Sequence, residues 1–432
     1  MGRFDIKTLG EPRIASPLVK HKLLAALGEF AFIRDSQRVL KNVSVSVLDE
    51  KAPESFEKAG ARERIYFQPG KTKVAIVTCG GICPGLNDVI RALVLNLHYF
   101  YGVSDIKGVR YGYAGLGEDP PAPPIDLSPK LVSQIHDLGG TMLGSSRGAP
   151  TPSEIVDTLE KMDIDILFCI GGDGTLRGAH DIYEEVESRN LSIAVLGIPK
   201  TIDNDIAYVY RCFGFQTAVA EAKKTLSCAH VEAKCAPNGI GLVKLMGRDA
   251  GYIAAAATKA SGDVNFCLVP EAKFPLEGEN GLISVLHKRL LDRGHALIAV
   301  AEGAGTDIVG EGSLKDASGN LLHNDIGIFL KEKIKSGLSE KGMKPSIKYI
   351  DPSYIIRSVP ANADDSIFCA DLARAAVNAA MAGKTDMLVG YWHGEFTHVP
   401  LKAIRHEKKC IEIGQLIWKS VLATTGQPPE WI

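Results

Sequence analysis

Ile170-Gly171-Gly172-Asp173-Gly174-Thr175 closes one short apolar run, and Pro199-Lys200-Thr201-Ile202-Asp203-Asn204-Asp205 closes another. The first run is Asp165-Ile166-Leu167-Phe168-Cys169-Ile170 and the second spans residues 193–198; Thr175 to Glu187 between them reads as a helix. Strand, Gly-rich turn, helix, strand and Asp-rich turn make a βαβ unit. Both turns then lie at one edge of a parallel sheet, the edge where open α/β sheets bind ligands. The expectation is a phosphoryl donor and a metal at the first turn. The second turn would supply a base that activates an acceptor hydroxyl.

The same alternation continues outward. Val74-Ala75-Ile76-Val77-Thr78 is a buried-type strand, Cys79-Gly80-Gly81-Ile82-Cys83-Pro84-Gly85 a tight turn, and Leu86, Val89, Ile90, Leu93 and Leu97 fall on one helical face. Such a turn can hold phosphate, because bare glycine backbone and free helix N–H groups approach it closely. Gly144-Ser145-Ser146-Arg147-Gly148 places an arginine in a turn just before the central unit. Downstream, Phe215, Val219, Ala222 and Leu226 predict a helix. Residues 240–246 and 295–301 predict strands ending in Gly247-Arg248 and Glu302-Gly303, and 348–350 and 387–391 predict two more. At least six strand-turn-helix units imply one extended or two adjacent three-layer α/β lobes. Residues 1–70 read as an extension, with a short helix around Leu23, Leu27 and Phe30 and an edge strand at Val43-Ser44-Val45-Ser46-Val47; Thr306 to Asn320 reads as a loop.

Composition narrows the function classes. The 432 residues carry a net charge of -2, with 45% hydrophobic and 23% charged residues. That is an ordinary globular balance without the basic excess of a nucleic-acid binder. The cysteines number nine, an odd and scattered set with no CxxC pair, which points to free thiols and a reducing compartment. Cys79 and Cys83 are expected to be buried apolar residues rather than metal ligands. No apolar run is long enough to span a membrane, and the N-terminal residues lack a signal-peptide core, so a cytoplasmic protein is expected. Gly70-Lys71-Thr72 and Gly383-Lys384-Thr385 are not Walker A loops, since Ile65 and Asn378 stand where the leading glycine belongs.

The chemistry follows from residue type. Asp173 is the only carboxylate in a turn whose glycines expose backbone N–H groups, and it is the hard ligand Mg²⁺ prefers. An aspartate in place of Gly174 would push a carboxylate toward a nucleotide's phosphates. Asp203 and Asp205, two residues apart, suit a base and a carboxylate that binds metal or orients it, with Lys200 as a cation for the transferred group. The bland alternative is an Asp-rich turn capping a helix. Arg248, Glu302 and Arg357, in Ser353-Tyr354-Ile355-Ile356-Arg357, fit a sugar phosphate: arginine for bidentate phosphate contact, glutamate for hydroxyls.

The ordered strings Cys79-Gly80-Gly81-Ile82-Cys83-Pro84-Gly85-Leu86-Asn87, Gly171 to Thr175, Pro199 to Asp205, Met246-Gly247-Arg248 and Tyr354 to Arg357 resemble the 6-phosphofructokinases. Gly241-Leu242-Val243-Lys244-Leu245-Met246-Gly247-Arg248 and Lys348-Tyr349-Ile350-Asp351-Pro352 are most similar to the branch with plant and trypanosome ATP-dependent enzymes. The resemblance implies two Rossmann-like three-layer α/β lobes with mainly parallel sheets, divided as an extension 1–70, a nucleotide lobe 71–220, a sugar-phosphate lobe 221–358 and a completing segment 359–432. It implies transfer of the γ-phosphoryl of ATP to the 1-hydroxyl of fructose 6-phosphate, with Asp203 as base and Mg²⁺ at Asp173. ATP would be held by Gly81, Arg147, Gly148, Gly172, Asp173, Gly174 and Thr175. Fructose 6-phosphate would be held by Thr201, Ile202, Asp203, Asp205, Met246, Gly247, Arg248, Glu302, Tyr354, Ile355, Ile356 and Arg357. A cytoplasmic homo-oligomer, dimer or tetramer, is implied, with neither nucleic acid nor membrane as partner.

Two departures bear on this. Lys200 is typical of pyrophosphate-dependent relatives, which usually have Asp where this chain has Gly174, so a pyrophosphate donor is the alternative. Gly239 stands where bacterial enzymes place an arginine that reaches the neighbouring subunit's site. A catalytically inactive paralogue is a further alternative, but Asp173, Asp203 and Arg248 are all present.

Overall fold

In the computed structural model, which describes residues 2–21, 26, 28–44, 53–146, 148–310 and 325–431, the decisive stretch folds as its sequence predicts. Ile166–Gly171 is a strand, Asp173–Ser188 a helix and Ala194–Pro199 a strand. The two strands pair in parallel, with Ala194 opposite Ile166 and Pro199 opposite Gly171, so their turns leave the sheet side by side. Lys73–Thr78 pairs in parallel on the other side, Thr78 opposite Ile170, which brings the Cys79–Gly85 turn to the same edge.

These strands are the middle of a nine-stranded sheet ordered Arg38–Leu40, Ser55–Lys58, Glu395–Pro400, Met387–Trp392, Ala194–Pro199, Ile166–Gly171, Lys73–Thr78, Asp105–Val109, Ile125–Asp126. From Met387–Trp392 to Asp105–Val109 the pairing is parallel, and at both margins it is antiparallel. Ala75, Val77, Leu167, Cys169 and Val195 share a core with Leu176, Ala179 and Ile182 of the helix. The alternate positions Val74, Ile76, Ile166, Phe168 and Leu196 are equally buried. Both faces of the sheet are therefore covered, which is why these strands read as continuous apolar runs rather than alternating ones.

The chain divides into two compact units: Met1–Thr201, Ile206–Gly214 and Ser358–Lys408 in the first, and Ile202–Asp205, Phe215–Arg357 and Lys409–Ile432 in the second. The second has its own all-parallel sheet, ordered Phe266–Leu268, His295–Ala301, Gly239–Leu245, Ser346–Ile350. Ile240, Leu242, Ile298 and Val300 pack on one face with helices Leu282–Arg293 and Ile326–Glu340. Helix Phe215–Lys234 packs against strands Gly239–Leu245 and His295–Ala301. This helix is unbroken and lies wholly in the second unit, so the division expected at 220/221 falls inside it. Residues 1–70, set apart in the sequence, lie within the first unit.

The extension departs from its sequence reading. Arg38–Leu40 forms the edge strand of the nine-stranded sheet; of the strand expected at 43–47, Val43 and Ser44 are outside any strand and 45–47 lie outside the described residues. Leu23 and Leu27 also lie outside them; short 3-10 helices, Pro17–Lys20 and Gly28–Ala31, stand on either side. Thr306–Val309 is one helical turn; 311–320 lies outside the described residues.

Strand Ser55–Lys58 carries the buried Glu57, met by Arg62 at 3.0 Å, Lys384 at 3.0 Å and His398 Nδ1 at 2.9 Å. Burial alone would raise its pKa, but the His398 hydrogen bond and the nearby cations overcome this and hold it at about 2. A carboxylate depressed in the folded state stabilises fully above its unfolded value, here 4.5, and that contribution is lost as pH falls toward 2. The thermal midpoint should therefore drop between about pH 5 and pH 3, and drop less steeply in Glu57→Gln. Parallel slopes in the two proteins would remove Glu57 from the acid transition.

Candidate active site

In the first unit, three turns converge on one sheet edge. The Lys200 amide donates to the Gly171 carbonyl at 3.0 Å and the Cys79 amide to Ile170 at 2.9 Å. The 144–146 loop is tied to the same edge: Thr78 Oγ1 donates to the Gly144 carbonyl at 2.8 Å, Ser145 Oγ to Gly80 at 2.5 Å, and the Gly80 amide to Ser146 at 3.3 Å. The Tyr113 hydroxyl donates to the Thr175 carbonyl at 2.8 Å, holding the start of the helix. Gly81, Gly172, Asp173, Gly174, Thr175 and Lys200 are thus brought together, with Gly148 just beyond the tied loop. Arg147 lies outside the described residues.

Gly172 caps the helix and Asp173 opens its first turn, so the helix N-terminus and its unsatisfied N–H groups face this edge. Gly171 allows the tight entry, since a Cβ there would stand 2.1 Å from Thr175 Oγ1. Gly171→Ala should destabilise the protein by about 1–3 kcal/mol, the cost of overpacking, and raise KM for the nucleotide, as read by urea unfolding and steady-state kinetics. A Cβ at Gly174, by contrast, meets nothing within 4 Å.

Lys200 is where the structure adds most to the sequence. Its side chain is buried rather than presented at the surface, and Nζ donates to the Gly81 carbonyl at 2.6 Å. The ammonium ties the second turn to the glycine turn after Thr78. Cys79 and Cys83 are buried and free of disulfides, and burial pushes the Cys79 thiol up to about 12. Among the described residues no group of three or more His, Cys, Asp or Glu forms a metal cage.

The second unit carries most of the residues that the sequence assigns to the acceptor side. The Ile202–Asp205 turn belongs to it; Asn204 sits there at φ 55°, and the Lys409 amide donates to the Asp205 carbonyl at 3.0 Å. Asp203 and Asp205 are half-buried, while Ile202 is buried. Leu245 and Ala301 are opposite each other in register, so Met246-Gly247-Arg248 and Glu302-Gly303 leave the sheet together. The Gly303 amide donates to the Gly247 carbonyl at 3.1 Å, and a Cβ on Gly303 would lie 1.7 Å from the Arg248 carbonyl oxygen. Only glycine lets these two strand ends approach so closely. Tyr354 and Arg357 lie on the short helix Ser353–Ser358, with the guanidinium 4.8 Å from the ring centroid. Tyr354 and Ile355 are exposed, whereas Ile356 is fully buried, so only the backbone of Ile356 could meet a ligand.

Two supports of this half were not singled out in the sequence. Lys244 Nζ reaches Asp325 at 2.6 Å and Asp351 at 2.9 Å, joining the strand before Met246 to the start of the Tyr354 helix. Burial opposes its charge, yet these two bonds raise its pKa overall. Glu271 accepts from the Gly251 amide at 3.0 Å and the Ile411 amide at 2.9 Å, pinning the chain just after Arg248. Burial raises its pKa despite those bonds.

The first unit's glycine-lined helix N-terminus with one carboxylate, and the second unit's strand-end arginine and glutamate and its Asp-bearing turn, are each kinds of part that a phosphotransferase uses. The comparisons give the family. The phosphofructokinase family model matches residues 73–380. The ATP-dependent 6-phosphofructokinase of Borreliella burgdorferi is 49% identical over 434 residues, covering 98% of this chain and 97% of that one. ATP-dependent 6-phosphofructokinase 7 of Arabidopsis thaliana is 47% identical over 376 residues, covering 86% and 77%. A pyrophosphate-dependent phosphofructokinase structure from Marinobacter aquaeolei superposes with a TM-score of 0.68 at 19% identity, over 82% of this chain and 91% of that one, a likeness of fold alone. The chain belongs to the phosphofructokinase family.

Proposed function

We propose that the chain is an ATP-dependent 6-phosphofructokinase, transferring the γ-phosphoryl of ATP to the 1-hydroxyl of fructose 6-phosphate to give fructose 1,6-bisphosphate and ADP in glycolysis. The observation that carries this is near half identity, over almost the whole of both chains, to an enzyme of that name. Gly174, open and exposed at the donor turn, supports the choice of donor. Lys200 is the residue that favours pyrophosphate: its ammonium donates to the Gly81 carbonyl and keeps two further N–H donors. Assaying fructose 6-phosphate with each donor tests the reading: turnover with ATP is expected, and turnover with pyrophosphate alone would overturn it.

In this reading, Asp203 takes the proton of the attacking 1-hydroxyl, and Asp205 and Thr201 order the turn that carries it. Arg248 balances charge on the transferred group, Glu302 accepts from sugar hydroxyls, and Arg357, oriented by Tyr354, meets the 6-phosphate. Met246, Gly247, Ile202, Ile355 and Ile356 shape that half by backbone and packing. On the donor side, Gly81, Gly148 and the backbone from Gly172 to Thr175 cradle phosphates, with Arg147 as a further cation. Asp173 is the proposed Mg²⁺ ligand. One carboxylate beside a phosphate cradle suits an ion that keeps waters and takes substrate oxygens, and a caged site is absent among the described residues. Bound there, Mg²⁺ would supply charge neutralisation on the phosphates.

The cysteines are free, and no helix among the described residues is long and apolar enough to cross a membrane. Both facts are consistent with the cytoplasm as the proposed location. A homo-oligomer, dimer or tetramer, is proposed from the family resemblance, and light scattering of the purified protein tests it.

A further inference from the structure

Within the second unit, strand Gly239–Leu245 runs between two parallel neighbours, and its register lines up three strand ends. On one side Leu245 lies opposite Ala301, so Met246 and Glu302 follow together. On the other side the pairing stops at Val243 opposite Ile350, one residue short of Lys244 and Asp351. There the side chains take over from the backbone. Lys244 Nζ meets the Asp351 carboxylate at 2.9 Å and, with another N–H, the Asp325 carboxylate at 2.6 Å. The Lys244 side chain is only 12% exposed, so these bonds are largely withdrawn from competing water.

Asp351 leads directly into helix Ser353–Ser358, which carries Tyr354 and Arg357. Its two oxygens divide the work: Oδ1 accepts from the Ser353 amide at 3.1 Å, while Oδ2 meets Lys244. The helix is six residues long, too short to persist alone, and among its side chains only Ile356 is buried. Arg357 Nε is buried and makes no hydrogen bond among the described residues, so it is a donor set for an acceptor from outside the chain.

We infer that Lys244 is a positioning residue for the acceptor: through Asp351 it fixes the Arg357 helix against the strand end that carries Met246-Gly247-Arg248. The inference rests on the proposed reading, in which Arg248 and Arg357 hold fructose 6-phosphate. Taking an ammonium this far out of water costs desolvation that its carboxylates largely offset, so the cluster adds little net stability. What it supplies is geometry, because charge-assisted bonds this short hold direction as well as distance. An arginine displaced by about 1 Å grips a phosphate poorly. Lys244 touches neither the sugar nor the transferred group in this scheme, and the proton is taken at Asp203. Sugar-phosphate binding, rather than chemistry, is what the lysine controls.

The two arms of the lysine provide an internal control. Asp325 caps helix Ile326–Glu340, accepting from the Ile328 amide at 3.0 Å, and leads to no proposed ligand contact. Asparagine at either position keeps a carbonyl oxygen for the backbone cap but loses the ion pair. Asp351→Asn should raise KM for fructose 6-phosphate about 10-fold, with kcat within about 2-fold of wild type and KM for ATP unchanged. Asp325→Asn should leave both KM values as they are in the wild type. Lys244→Met should raise KM for the sugar phosphate at least as far as Asp351→Asn, and Lys244→Arg should restore most of the lost affinity. Combining Lys244→Met with Asp351→Asn should be no worse than Lys244→Met alone. An unchanged KM in Asp351→Asn, an equal rise in Asp325→Asn, or additive effects in the double variant would overturn the positioning role and leave the proposed reaction standing. Absence of fructose 6-phosphate turnover by the wild type would instead remove the reaction, and this inference with it.

Discussion

Replacing Asp203 by asparagine is expected to lower kcat by about 10²–10⁴-fold, the contribution of a positioned general base, with KM for fructose 6-phosphate largely kept. Asparagine keeps the shape of the side chain and can still hydrogen-bond, but it cannot take the proton of the 1-hydroxyl. The turn itself should persist. Its left-handed residue is the neighbouring Asn204, at φ 55°, which is untouched, and Ile202 remains as the buried anchor. Steady-state kinetics with a thermal-unfolding control separates chemistry from folding. A kcat near wild type would remove Asp203 from its role, and a matching rise in KM with unchanged kcat would make it a binding residue instead.

Gly174→Asp is the second large effect. The new carboxylate would stand on the first helical turn beside the proposed phosphate cradle. Like-charge juxtaposition on this scale costs several kcal/mol, so kcat/KM for ATP should fall by about 10²-fold or more. Folding should not suffer, because a Cβ at this position meets nothing within 4 Å. An acidic residue in the first turn even favours the helix dipole. Pyrophosphate binding, measured by competition against ATP, should weaken far less. Equal loss for both ligands, or a lowered thermal midpoint, would mean that Gly174 acts through local structure rather than donor discrimination.

The central βαβ unit was legible because two physical signals coincide there. Its strands are apolar at every position, as doubly covered parallel strands must be, and its turns carry the glycines that a strand-to-helix entry needs. Candidate site residues such as Gly172, Met246, Gly247, Arg248 and Glu302 stood out because they follow directly on strands, where residue type is constrained. What stayed hidden depends on partners distant in sequence. Nothing near Lys200 says that its ammonium will reach the Gly81 carbonyl, and nothing near Lys244 says that Asp325 and Asp351 will meet it. The margins of the nine-stranded sheet were hidden too. Strands as short as Arg38–Leu40 and Ser55–Lys58 carry too few residues to show a period, and Ser55–Lys58 joins the sheet through Glu395–Pro400, far along the chain.

The parallel partner of Ala194–Pro199 on one side is Met387–Trp392, and this order has a consequence for biosynthesis. The sheet of the second unit is encoded in one continuous stretch, but the first sheet must wait for a strand made about 190 residues later. At ribosomal rates of roughly 5–20 residues per second, that interval is on the order of 10–40 s. Throughout it, a wholly apolar strand offers an open edge, the geometry that recruits other nascent chains. Yield from a heterologous host should therefore respond to translation speed and to chaperones that shield strand edges.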